Sequence, residues 1–364
     1  GASTVLMGAQ ASVSVDGSDW LNRGYIRSDV ALLLPSANGD GTTRGRMTVS
    51  MSDAGVTLTA TEAFGSDVRV AVMILGGTRF TDASLGTMNI RRNAPTEDVS
   101  LGITPVAGRY LAGALYDYSN RAWSYEGEAF TAATVVANHG GGFATGSIQA
   151  WAWWGGSYEG GATSSWRDGA LIYSEYYRGS EPGQHWTING PIPNGLRLNR
   201  VTGGDGLVAL VWVLTTDTEG MFTVGTTSLG ANGTTTLSGH SGTPRAALLA
   251  MVPHLTGSLT SYPAPSPDAH TTGFAVRTEA GTTLQSAIAH LSQYIGGSRS
   301  ARSHRTDSDV LLEMSVGQSN GSLAARHRLA FTTSGATMSR LDASGATVVA
   351  ATVLSRVGFV LIGR

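Results

Sequence analysis

The chain has 364 residues, of which 41 % are hydrophobic and only 14 % charged, with 49 Gly, no Cys and a net charge of −2. That length accommodates two compact domains with full cores. The near-neutral charge gives no electrostatic case for nucleic acid or an anionic membrane, and the lack of Cys excludes disulfides, thiolate catalysis and Cys-ligated metals.

Taken in chain order, the apolar segments recur in a pattern. Asp29-Val-Ala-Leu-Leu-Leu34 opens a first unit. Arg46 to Thr59 follows, alternating apolar and Ser/Thr residues around a Gly turn as a hairpin with one dry face does, and Arg69-Val-Ala-Val-Met-Ile-Leu75 closes it. A second unit opens at Leu111-Ala-Gly-Ala-Leu-Tyr116 and closes at Arg167-Asp-Gly-Ala-Leu-Ile-Tyr173. It carries a Trp-rich insertion where the others have the hairpin. A third runs from Leu207–Leu214 through a hairpin at Met221–Gly230 to Arg245–Met251. The fourth runs from Asp309–Met314 through Arg328–Ser339 to Arg356–Ile362. Each closing segment is an apolar run behind an Arg, the pattern of a strand buried on both faces.

The first and third closing segments lie 176 residues apart, the second and fourth 189, each near half the chain. This predicts an all-β fold of tandem β-sandwich-like domains, two units to a domain. The boundary is expected in the Pro- and Gly-rich stretch between Glu181 and Asn194, giving domains 1–185 and 186–364. One helix is predicted over 282–295. Leu284, Ala287, Ile288, Leu291 and Ile295 fall on one helical face, and Gly296-Gly297 supply a stop. Pro263, Pro265 and Pro267 make the preceding segment an extended loop.

Motifs for metals, nucleotides and hydrolases are not found. Asn38-Gly-Asp-Gly41 lacks the acidic spacing of a Ca²⁺ loop and reads as a turn. His139-Gly-Gly-Gly142 has no nucleophile elbow to serve, and Gly239-His-Ser-Gly242 has Thr243 where an elbow needs Gly. Asp117, Glu126, Glu128, Glu159 and Glu175 would permit glycoside hydrolysis, although solvated loop acids are the simpler reading. The richest feature is aromatic: Trp151, Trp153, Trp154, Tyr158, Trp166, Tyr176, Tyr177 and Trp186 cluster in one stretch. Such residues stack on sugars, anchor protein interfaces or fill a core.

All 24 basic residues are Arg, which suits surfaces buried in assemblies. No apolar run reaches the ~18 residues of a membrane span. Gly1-Ala-Ser-Thr4 lacks the charged and apolar regions of a signal peptide, so none is expected.

The segment Gly24-Tyr-Ile-Arg-Ser-Asp-Val-Ala-Leu-Leu-Leu-Pro35, the Asp40-Gly-Thr loop and the Met47-Thr-Val hairpin resemble repeats of virion proteins of tailed phages and gene transfer agents. The likeness runs unit by unit over about half the chain. It implies a non-enzymatic structural protein on the virion surface, without cofactor or metal: a tail fibre, tail-tip component, head spike or capsid decoration. Its implied partners are other virion proteins, further copies of itself in a homo-oligomer (a trimer favoured), and a host-surface glycan. A carbohydrate-binding adhesin using the Trp-rich region and a glycan hydrolase stand as alternatives.

Overall fold

The computed structural model describes residues 9–15, 21–27, 29–35, 43–52, 55–64, 70–90, 94–118, 137–146, 149–158, 161–174, 183–203, 207–229, 233–252, 268–295, 298–314, 322–342 and 355–363. Within them the protein is all-β and built of antiparallel sheets. The first strands are β1 (Ala9–Val15), β2 (Leu21–Arg27), β3 (Leu32–Pro35), β4 (Thr43–Ser52) and β5 (Gly55–Glu62). Ten more follow: β6 (Phe80–Ile90), β7 (Thr96–Ser100), β8 (Tyr110–Tyr118), β9 (Ala137–Ala144), β10 (Ala150–Tyr158), β11 (Gly161–Asp168), β12 (Ile172–Tyr173), β13 (His185–Ile192), β14 (Gly195–Thr202) and β15 (Leu207–Thr216). The last ten are β16 (Phe222–Leu229), β17 (Thr234–Leu237), β18 (Ala246–Val252), β19 (Asp268–Arg277), β20 (Thr283–Ile295), β21 (Ser298–Thr306), β22 (Leu311–Met314), β23 (Leu323–Thr332), β24 (Gly335–Asp342) and β25 (Ser355–Ile362).

The two sets of ten have the same topology. A six-stranded sheet β11-β10-β9-β8-β15-β6 and a four-stranded sheet β12-β13-β14-β7 form the first sandwich. The order β21-β20-β19-β18-β25-β16 with β22-β23-β24-β17 repeats both sheets strand for strand. Details coincide as well. The Leu171 N–H donates to Trp186 O (2.9 Å) as the Val310 N–H donates to His327 O (2.7 Å). A Cβ on Gly195 would collide with Val99 O, and one on Gly335 with Leu237 O; Gly142 and Gly273 stand equally close to Leu171 O and Val310 O. Side chains are excluded at the same two places in each sandwich because the same backbone approach recurs.

The repeat is therefore real, but its frame differs from the one the apolar segments suggest. Phe80 and Phe222, which open the two sandwiches, are 142 residues apart. A cut at 185/186 would separate β12 from β13, which pair with each other (Ile172 with Trp186), so the junction falls at 217–221 instead. The third unit's hairpin is not one. β16 stays beside β25, and the chain then crosses to the other sheet as β17 beside β24. The first sandwich has a hairpin of its own, β13–β14, which lies beyond the second unit's expected close at Tyr173 and turns through Asn194 at φ 61°. Residues 167–173 are two elements, the end of β11 and β12, divided at Gly169 (φ 76°).

The helix expected at 282–295 is strand β20. Ala287, Ala289 and Leu291 are buried, while Leu284 (59 %) and Ile288 (53 %) are exposed. Hydrophobic residues at helical spacing thus lie on opposite faces of a strand, and pairing with both β19 and β21 decided the outcome over local periodicity.

β3–β4–β5 repeats the order of β12–β13–β14 and β22–β23–β24. Its first rung repeats too: the Ala31 N–H donates to Met47 O (2.8 Å), one residue before the Leu32–Met47 pair. The N-terminal strands are thus part of a third copy. Residues 70–75, expected as a closing strand, belong to no sheet.

Each sandwich encloses its own core. Val99, Tyr116, Trp186, Leu196 and Val211 fill the first; Leu237, Met251, Val310, Met338 and Leu361 fill the second. The central strands β8 and β25 are apolar on both faces because each six-stranded sheet is covered twice. One face meets its four-stranded sheet, the other the neighbouring sandwich.

Candidate functional site

The outer faces of the two six-stranded sheets meet in a third apolar cluster, where the Trp-rich stretch lies. On β10, Trp151 and Trp153 point outward together because strand residues alternate, and Trp166 of β11 lies beside Trp153 in register. The Trp151 and Trp166 rings stack at 5.1 Å, 19° from parallel. Phe143 packs on Trp151 at 5.0 Å and meets Trp212 edge-on at 5.6 Å. Across the seam, β25 presents Gly358: a Cβ there would sit 2.5 Å from Cε2 of Trp151 and Cη2 of Trp166. Trp151 Nε1–H donates to Phe359 O (3.2 Å), so the ring's polar edge is satisfied by the other sandwich. Arg356 reaches back to pair with Asp168, which also accepts from Trp166 Nε1–H at 2.8 Å.

At the far side of the seam, His270 of β19 stacks on Trp153 at 4.5 Å, and His290 of β20 lies 5.3 Å beyond it. Burial holds the His270 imidazole down at about 4, so it is neutral at pH 7. An apolar cleft of about 470 Å³ opens here between the two sheets, lined by Leu115, Phe143, Trp153 and Trp212 on one side and by Leu248, Phe274 and Ile288 on the other. Leu32, Val70 and Ala71 complete its wall.

The aromatic candidates thus divide. Trp151, Trp153 and Trp166 are buried between the sandwiches, and Trp186 is buried inside the first, its Nε1–H donating to Gln184 Oε1 at 2.8 Å. None of the four is a surface platform for sugar: each is committed to packing on its own chain. Trp154 and Tyr158 lie on β10, their side chains outside what is described, and Tyr176 and Tyr177 lie outside the described residues. Of the acids, Asp117 lies on β8, while Glu126, Glu128, Glu159 and Glu175 fall outside the described residues, as does Asn38–Gly41. His139–Gly142 is part of β9, and its glycines lie against the Tyr116 ring, Trp153 and the Leu171 backbone. His240 is tied to Thr223 Oγ1 (2.9 Å) and Gly363 O.

A charged cluster in the second sandwich was not foreseen. Glu313 of β22 is nearly fully buried, accepting from His327 Nε2–H (2.8 Å) and bidentately from Arg340 Nε and Nη2 (3.1 and 2.8 Å). Burial pushes its carboxyl up, but the bonds from His327 and Arg340 outweigh this and hold it at about 2. Asp309, fully buried, accepts from Thr306 Oγ1 (2.9 Å), Ser308 Oγ (3.1 Å) and Arg328 Nε (3.2 Å). In the first sandwich the ladder puts Ala170, Ser174 and Trp186 at the places of Asp309, Glu313 and His327. One copy packs an indole where the other built an ion network. The signal was in the sequence: Asp309 and Glu313 bracket the apolar Val-Leu-Leu, and acids in a buried strand require partners. Both Glu313 oxygens are engaged and His327 is sealed from solvent, so the cluster is structural and offers no group to a substrate.

Among the described residues no group of three or more His, Cys, Asp or Glu is placed to hold a metal, and no helix is long and apolar enough to cross a membrane. Comparison with protein families, curated proteins and solved structures found no match to this chain.

Proposed function

We propose that the chain is a structural protein of a virion exterior, of the tailed-phage type its repeats resemble, and that it serves as a stiff array of β-sandwiches. The observation that carries this reading is the use made of the aromatic residues. Trp151, Trp153 and Trp166 are spent on locking one sandwich to the next, which favours a rigid architectural element. An ion pair and hydrogen bonds across the seam add orientation, and flexibly linked domains lack such a contact. Its partners under this reading are other virion proteins and further copies of itself. The adhesin alternative loses its four central Trp to burial.

Immunogold electron microscopy tests the proposal. Antibody against the purified chain is applied to particles released by the producing cells. Gold on the particle exterior supports it. Gold confined to soluble protein and debris, with particles bare, overturns it.

A further inference from the structure

The two complete sandwiches state what a strand at the place of residues 70–75 does. β15 follows β14 and lies hydrogen-bonded between β8 and β6; β25 follows β24 and lies between β18 and β16. Residues 70–75 follow β5 in the same order. Their sequence, Val-Ala-Val-Met-Ile-Leu, has the apolar character of Val-Gly-Phe-Val-Leu-Ile in β25. Among the described residues, however, their backbone groups make no backbone hydrogen bond. Met73 and Leu75 turn in toward the aromatic seam, whereas Val72 (47 %) and Ile74 (53 %) stand exposed. The apolar cleft opens beside Val70 and Ala71. An apolar segment whose N–H and C=O groups have no partner among the described residues is a template for adding a strand.

We propose that Val70–Leu75 is an intermolecular strand-pairing site whose partner is the same segment of a second copy, joined antiparallel about a twofold axis. Every strand pairing described in this protein is antiparallel. An antiparallel pair of identical strands is what a twofold axis generates, and such a contact closes on itself. The strands that flank β15 and β25 from the centre of the sheet are β8 and β18, apolar segments rich in Ala and Leu and free of Pro. Val70–Leu75 is likewise apolar and free of Pro. It carries no charge, so its own copy opposes it without like-charge repulsion. The proposal stands apart from the virion reading and holds or fails independently of it.

The test is sedimentation velocity on the full chain over a wide concentration range, comparing wild type with the double variant Val72→Asp/Ile74→Asp. Both side chains are exposed, so the unfolding midpoint should be unchanged, while self-association weakens by roughly a hundredfold or more. Because the chain has no Cys, Val72→Cys introduces a single thiol. Mild oxidation should join two copies through it, whereas Val106→Cys, equally exposed but remote in sequence, should stay unlinked. Should the double variant fail to fold, hydrogen exchange on wild type replaces it: amides 71–75 become protected as concentration rises. A wild type that stays monomeric, a dimer or trimer indifferent to the double variant, or pairing of this strand only with a different protein overturns the proposal.

Discussion

Gly358→Ala is the sharpest test of the seam between the sandwiches. The added methyl would sit 2.5 Å from atoms of both the Trp151 and Trp166 rings, and these rings are stacked, buried and unable to retreat. Overpacking of this kind costs about 1–3 kcal/mol. Trp151→Ala alone removes a fully buried indole and its bond to Phe359 O, at about 3–5 kcal/mol. The informative quantity is the combination. With the Trp151 ring gone, the methyl enters vacated space and Trp166 has room to shift. Ala in a strand interior then outperforms Gly by roughly 0.5–1 kcal/mol through the unfolded-state entropy it removes. The same substitution should therefore destabilise wild type and stabilise the Trp151→Ala protein, a coupling energy of roughly 1.5–4 kcal/mol when these ranges are combined. Urea unfolding followed by far-ultraviolet circular dichroism reads all four proteins. Equal cost in both backgrounds, or a neutral Gly358→Ala in wild type, would refute the packing described.

Other expectations concern charge and backbone. Glu313→Gln removes the negative charge that His327 and the mostly buried Arg340 face, and should cost about 3 kcal/mol by urea unfolding. Because Glu313 is held at about 2 in the fold, its contribution is present above the ordinary carboxylate pKa and is lost as pH falls from about 4.5 toward 2. Acid unfolding of Glu313→Gln should accordingly be shallower in that window, and an unchanged profile would contradict the geometry. His270, buried and held at about 4, adds stability above about pH 6.5 that fades as pH drops toward 4. His270→Phe keeps a ring against Trp153 and should flatten that part of a stability–pH curve. At the β13–β14 turn, Asn194→Ala should cost about 1–2 kcal/mol in thermal unfolding and Asn194→Gly much less, since φ is 61° there.

Much of the fold was legible because buried central strands announce themselves. Leu111–Tyr116, Leu207–Leu214, Arg245–Met251 and Arg356–Ile362 are apolar on both faces, and each lies in a central strand: β8, β15, β18 or β25. Other features were misread for a common reason. A hydrophobic pattern says that a residue is buried without saying against what. Residues 284–295 fit a helix and a strand alike, and the neighbours β19 and β21 settled the choice. The Trp-rich stretch advertised contact, but only the packing of two outer faces showed that the partner is the adjoining sandwich.

By itself the sequence determined an all-β protein made by repetition, because alternation, Gly turns and apolar runs are local properties of the chain. The tertiary structure decided the frame of that repetition, a ten-stranded sandwich opening at Phe80 and again at Phe222 with a partial copy before them. Strand pairing joins residues far apart in sequence. The glycines that mark it, Gly142 with Gly273 and Gly195 with Gly335, take their meaning from a backbone that approaches them only in the folded chain.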